Sequence, residues 1–233
     1  MNVCKWSPIL CLALACAPLA ACEHGVQQPE PDWLSLAGLY PQPNTIPGQG
    51  EQYVLLWLQI SRTGQDVARA RGEGTVSFGC YAQDIHLPTG PGLQDRPISI
   101  KDFPLTAAVL DEARRDFQPI LQNLKNTFNR ARPDVIFPAV TPAISEPSSP
   151  SYPSTHAALG IAFAEILAQY DKADQSALES TGNLIGTDRV LGGVHYPSDV
   201  TTGHRLGKAF ATWWIDSHLQ LIQTACCGWE TGH

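Results

Sequence analysis

Apolar residues recur at three- and four-residue intervals through "EQYVLLWLQISRTGQDVARARG", from Glu51 onward. That spacing places them on one face of a helix. Thr63-Gly64 interrupts the pattern and predicts two helices rather than one. Residues 75–101 carry Gly, Pro and Asp at short intervals and read as a loop with room for a short helix. The helical period resumes in "FPLTAAVLDEARRDFQPILQNLKNTFNRARP". There Pro119 is expected to divide the segment and Arg132-Pro133 to end it, because proline removes a donor and disfavours the α region for the residue before it. Further helices are expected at about 155–171, 174–190 and 197–225, the last opening on "YPSDV" with Pro197 in its first turn. With no long alternating pattern and no internal repeat, the expected fold is a single all-α domain.

The N-terminal pattern is of another kind. "MNVCKWSPILCLALACAPLAAC" has one Lys, an apolar stretch from Ile9 to about Ala21 and small residues at its end, as a secretory signal does. It is too short and too interrupted to span a bilayer. Its ending "LAAC", Leu19 to Cys22, resembles a bacterial lipobox, in which Cys22 would carry lipid. The expected organisation is a signal over 1–22, a Pro- and Gly-rich arm over 23–49 that is extended rather than packed, a helical domain over 50–226 and a tail over 227–233. The expected location is periplasmic or secreted, with the membrane contacted only through a lipid on Cys22.

Removing the signal deletes Lys5 and no acidic residue, moving the formal net charge from −7 to −8. Such a surface argues against nucleic acid as a partner. Cys22, Cys80, Cys226 and Cys227 remain, and in an oxidising compartment Cys80 is expected to bridge to Cys226 or Cys227.

Three clusters carry candidate chemistry. In "PSSPSYPSTHAALGIAFAEIL" a stiff Ser/Pro run ends where an apolar helix begins, with Ser154 or Thr155 as its cap and His156 in its first turn. A helix start offers free N–H groups and the positive dipole end, so it attracts anions; the plainer reading is a capped helix with a solvated histidine. In "KNTFNRARP", Lys125 and Arg132 lie seven residues apart, about two turns, and so share a helix face. Arg130 falls on another face and receives no role. In "GTDRVLGGVHYPSDV", Asp199 lies four residues after His195, within reach of one imidazole nitrogen, and Gly192-Gly193 permit a tight backbone approach beside them. Metal ligation by His156, Asp188, His195 and Asp199 is the alternative. Lys125, Arg132 and Arg189 crowding the same site oppose it, since three cations suit phosphate rather than a divalent metal.

K-x6-R-P, P-S-x-H and R-x5-H-x3-D, in this order, resemble the tripartite signature of the type 2 phosphatidic acid phosphatase superfamily, shared with vanadium haloperoxidases. "YPQPNTIPGQGEQ", "RTGQDVARAR", "FPLTAAVLDEA" and "GGVHYPSDVTTGHRLGKA" extend the likeness to soluble bacterial class A nonspecific acid phosphatases over most of residues 40–212. The resemblance implies an all-helical bundle and a phosphomonoesterase without metal or cofactor. It makes His195 the nucleophile that forms a phosphohistidine, Asp199 its orienting group and His156 the general acid. Lys125, Arg132, Arg189, Ser154 and the Thr155 N–H become the phosphate ligands. In-line attack, neutralised equatorial oxygens and a protonated leaving group are what phosphoryl transfer requires, and the clusters supply one set of parts for each. Vanadate enters as an inhibitor, or as cofactor in the haloperoxidase alternative; an inactive phosphate-binding lipoprotein is the third reading. Two positions depart from the family. Thr155 stands where Gly is usual and adds bulk near the phosphate, and Asp188 replaces a usual Ser, placing an acid beside Arg189 to orient it or compete for it.

Overall fold

Helix α6 (Thr155–Leu167) is apolar on every side, and the fold is built around it: ten of its thirteen residues are buried. Helices α7 (Gln175–Leu191) and α8 (Pro197–Ser217) enclose it. Their axes approach closely because glycines face each other where a side chain would not fit. A Cβ on Gly160 would lie 2.8 Å from the Gly182 carbonyl oxygen, and one on Gly207 would lie 2.3 Å from that of Ala158. In the computed structural model the described residues are 28–81, 103–170 and 172–230, without the side chains of 173 and 226–230. Among them there is no strand, and the fold is all-α.

Helix α4 (Pro104–Phe128) lays one apolar face on this centre through Val109, Ala113, Phe117, Leu121 and Leu124. Pro119 does not divide it. The proline lies on the exposed face, where the carbonyl it leaves without an N–H donor can turn to water. The helix ends at Phe128 rather than at Arg132, because Asn129 adopts a left-handed conformation (φ 44°) and its N–H closes the last turn on the Lys125 carbonyl. Arg132 then caps the short α5 (Pro133–Ile136).

The segment expected to be an extended arm contains a packed element. Helix α1 (Trp33–Ala37) buries Ala37 and sets Trp33 against Phe117, Phe210 and Trp213, with ring centroids 6.1–6.4 Å away. A single aromatic anchor on one short turn outweighs the Pro and Gly content around it. Helix α2 (Ile46–Ser61) also begins inside that segment, capped by Thr45. It stops before Thr63, which opens α3 (Gly64–Gly72) with a capping box to Asp66, at the expected break.

Phe78–Tyr81 form a short 3-10 turn; the rest of the anticipated loop, 82–101, lies outside the described residues. The expected last helix is two, since the chain turns at His218 between α8 and α9 (Leu219–Glu230) while the His218 ring stacks on Trp214 at 4.0 Å. Cys80 is a free thiol whose Sγ lies 3.7 Å from the Thr75 carbonyl, so the expected bridge is absent there; Cys22 and the side chains of Cys226 and Cys227 lie outside the described residues. Among the described residues no helix is long and apolar enough to cross a membrane.

Candidate active site

The close packing of α6, α7 and α8 brings the start of α6, the end of α7 and the start of α8 to one place. Ser154 caps α6: its Oγ accepts from the Ala157 N–H at 3.4 Å, and its own N–H donates to the Asp199 carbonyl at 3.0 Å. Ser154 is fully buried, and its hydroxyl, an acceptor at the cap, keeps its own hydrogen to donate. Thr155 and His156 follow in the first turn, where helix amides have no intrahelical acceptor. His156 Nε2 lies 3.2 Å from the Gly74 carbonyl, which can only accept, so Nε2 carries hydrogen. Burial, and then the charge of Arg189, push this imidazole down to about 4.

His195 sits on the turn between α7 and α8, where Gly193 takes a positive φ of 80°. Its Nδ1 lies 3.1 Å from Asp199 Oδ2, which also accepts from the Tyr196 N–H at 2.9 Å and from the Ser151 hydroxyl. The carboxylate fixes the Nδ1–H tautomer and leaves a lone pair on Nε2. Arg132 Nη1 donates to that nitrogen at 3.0 Å. Complete burial, opposed by the bond to Asp199, holds His195 well below the usual imidazole range, so the ring is neutral. Burial works against the Asp199 carboxylate, but the bond from His195 and the charge of Arg130 outweigh it and keep it ionised.

Arg130 is the functional residue the sequence reading missed. Its Nη1 donates to Asp199 Oδ1 at 2.6 Å and to Ser198 Oγ at 2.8 Å, and its Nη2 to Glu51 Oε2 at 2.7 Å. The guanidinium lies between the rings of Tyr40 and Tyr196, 4.5 and 3.6 Å from their centroids. Arg130 lies on no helix face at all, because α4 has already ended at Phe128.

For the same reason Lys125 and Arg132 share no helix face, yet they converge on one segment. Lys125 Nζ donates to the Pro150 carbonyl at 2.7 Å, and Arg132 donates to that of Ser149 through Nε at 3.0 Å and Nη2 at 2.9 Å. Burial and the nearby Arg132 push the Lys125 ammonium down to about 7.

Arg189 approaches from the other side. Its Nη2 donates to the Ala70 carbonyl and to Glu73 Oε2, the latter at 3.1 Å, while its buried Nε has no partner among the described residues. Asp188 is not the free charge beside Arg189 that the sequence suggested. Both its oxygens are taken by Arg69, at 2.7 and 2.8 Å, and the side chain is fully buried. The acid in contact with Arg189 is Glu73, at the end of α3, where no motif marks it.

Two cavities meet at His156 and His195. The larger, about 480 Å³, is walled by Arg189, Ala70, Ile144 and Val194, with Arg71 and Glu146 also lining it. The smaller, about 200 Å³, is lined by Lys125, Arg132, Thr155 and Ser149. Among the described residues no group of three or more His, Cys, Asp or Glu side chains is placed to hold a metal ion.

Residues 117–222, which span every candidate catalytic and phosphate-binding residue from Lys125 to Asp199, match the PAP2 superfamily. The chain carries a PAP2 superfamily domain. It is 29% identical over 142 residues to an acid phosphatase of Zymomonas mobilis, and this match covers 57% of the chain and about half, 54%, of that relative. The solved structure of a transmembrane PAP2-type phosphatidylglycerolphosphate phosphatase from Bacillus subtilis superposes with a TM-score of 0.56 at 18% identity, covering 81% of this chain and 92% of the other. At that identity the likeness speaks for the fold. Glu51, Arg69 and Glu73, which touch the site from α2, α3 and the end of α3, lie ahead of the matched PAP2 segment.

Proposed function

We propose that this chain is an exported phosphatase that hydrolyses small phosphomonoesters without a metal, through a phosphohistidine on His195. The observation that carries the reading is a neutral imidazole on the wall of two cavities, its Nδ1 fixed by a buried carboxylate and its Nε2 lone pair turned to Arg132, with Lys125 and Arg189 flanking the same cavities. As the phosphate draws Arg132 Nη1 to its oxygens, the Nε2 lone pair is released and attacks phosphorus, and the P–O ester bond breaks while His156 gives its proton to the departing oxygen. Water then cleaves the phosphohistidine and frees phosphate. The three cations and the first-turn amides of α6 neutralise the equatorial oxygens, the task electrostatic preorganisation performs in phosphoryl transfer. The acid phosphatase relative supports the activity, and the larger cavity gives the leaving group room.

The test compares an alkyl and an aryl phosphate, in EDTA, with the wild type and His156→Ala. A general acid must be protonated, and His156 in the free protein loses its proton near 4. Thus kcat/KM for the alkyl ester should fall as pH rises above about 4, by up to about tenfold per unit, and less so for the aryl ester, whose leaving group needs little help. His156→Ala should cost the alkyl ester far more and abolish that limb. Loss of wild-type activity in EDTA, restored by a divalent metal, would overturn the proposal; equal losses on both esters would remove His156 from its role.

Export belongs to the same proposal, supported by the signal-like residues 1–22 and their lipobox-like end. Labelling with radioactive palmitate should mark the wild type and not Cys22→Ala. An unlabelled wild type would leave secretion without an anchor.

A further inference from the structure

The contact between Glu73 and Arg189 carries a consequence for how the proposed phosphate site is regulated, and it rests on that site being an anion site. Arg189 Nη2 has two hydrogens, and both have acceptors, the Ala70 carbonyl and Glu73 Oε2. Nε, on the same edge of the guanidinium, is buried and has no partner among the described residues. A two-point grip on phosphate along this edge needs Nε and one Nη2 hydrogen together. On this edge Nε has no partner among the described residues, while Nη2 is shared between the Ala70 carbonyl and the Glu73 carboxylate.

We infer that Glu73 is a proton-operated competitor for Arg189: ionised, it withholds the guanidinium from the substrate phosphate, and protonated, it releases it. Its surroundings favour such a switch. The Glu73 side chain is 13% exposed, and the Arg189 side chain 4%. Asp188 of α7 faces it with a negative charge, opposed by Arg189 of the same helix and Arg69 of α3. His156 of α6 reaches the neighbouring Gly74 carbonyl, and Cys80 of the 3-10 turn acts on Arg189. Burial first, then the charge of Asp188, push the Glu73 carboxyl up to about 7, and a proton there can be shared with Asp188 by hydrogen bond.

The sign is therefore set. Below pH about 7 Glu73 is neutral and Arg189 is available; above it the carboxylate forms and anion affinity falls. Lys125, which loses its charge near the same pH, adds a fall of its own, so the shape of the wild-type curve alone decides nothing. Asp188 then acts on Arg189 indirectly. Removing its charge lowers the Glu73 pKa and strengthens the competitor, the opposite of what a free acid beside Arg189 would do.

Sulfate is the probe, because it does not titrate in this range and its binding requires no turnover. Titration calorimetry between pH 5.5 and 8.5 should find wild type and Glu73→Gln alike at the acid end, and the variant tighter by about tenfold at the alkaline end. Glu73→Ala, which asks no amide to fit, should behave the same, and Asp188→Asn should move the wild-type decline to lower pH. Parallel curves for wild type and Glu73→Gln would overturn the competitor, as would weaker binding by the variant at every pH, which is the mark of a residue that positions Arg189. Failure of the wild type to bind sulfate at pH 5.5, or indifference to Arg189→Ala, would instead remove the anion site, and the competitor with it.

Discussion

Replacing His195 by alanine is expected to lower turnover by about 10⁴-fold or more and to abolish a trapped phosphoenzyme, while leaving the fold intact. The imidazole is buried, but the groups around it keep partners without it. Asp199 retains the Tyr196 N–H, the Ser151 hydroxyl and Arg130, and Arg132 retains the carbonyls of Ser149 and Val194. Rapid quench with a labelled aryl phosphate is the direct measurement. A variant that still forms an acid-labile phosphoenzyme would place the nucleophile elsewhere. His156→Ala differs in kind, since it should still accept a phosphoryl group from an ester with a good leaving group.

The largest loss of stability is expected at Arg130. Arg130→Met removes the cation between Glu51 and Asp199, both buried, and leaves two carboxylates without their common partner. Breaking a buried pair in this way costs about 3–5 kcal/mol, because the stranded charge keeps its desolvation penalty. For a domain of this size that is a fall in Tm of about 10 °C. Arg130→Lys should recover part of it, since one ammonium cannot reach both carboxylates with a planar fork or fill the space between Tyr40 and Tyr196. Thermal unfolding of the two variants checks this. A loss below about 1 kcal/mol in Arg130→Met would mean that water or Ser198 replaces the cation. Turnover should fall as well, through the tilt of Asp199 and hence of His195, which makes Arg130 a positioning residue.

The helices around the site were legible because their causes are local. Thr63 with Asp66, the apolar run after Ser154 and Pro197 in a first turn each act within a few residues. Motif spacing also brought out Lys125, Arg132, His156, Arg189, His195 and Asp199, which the fold gathers around two cavities. What stayed hidden depends on partners far along the chain. Arg69 reaches Asp188 across 119 residues and Glu73 reaches Arg189 across 116, and no periodicity encodes such pairs. Arg130 was obscured by a different cause: a left-handed Asn129 ends the helix four residues before the proline rule would, and the wheel drawn past that point has no meaning. Trp33 was obscured by composition, which averages over a segment that one partly buried ring suffices to anchor.

The carbonyls of Ser149, Pro150 and Ser151 hold Lys125 and Arg132 before any anion arrives. An ammonium and a guanidinium have more hydrogens than single carbonyls can use, so on the proposed reaction a phosphate meets cations whose positions the backbone already sets, and little side-chain freedom is lost on binding. One backbone segment thus sets two cations at once, and a change of conformation at 149–151 would displace both together.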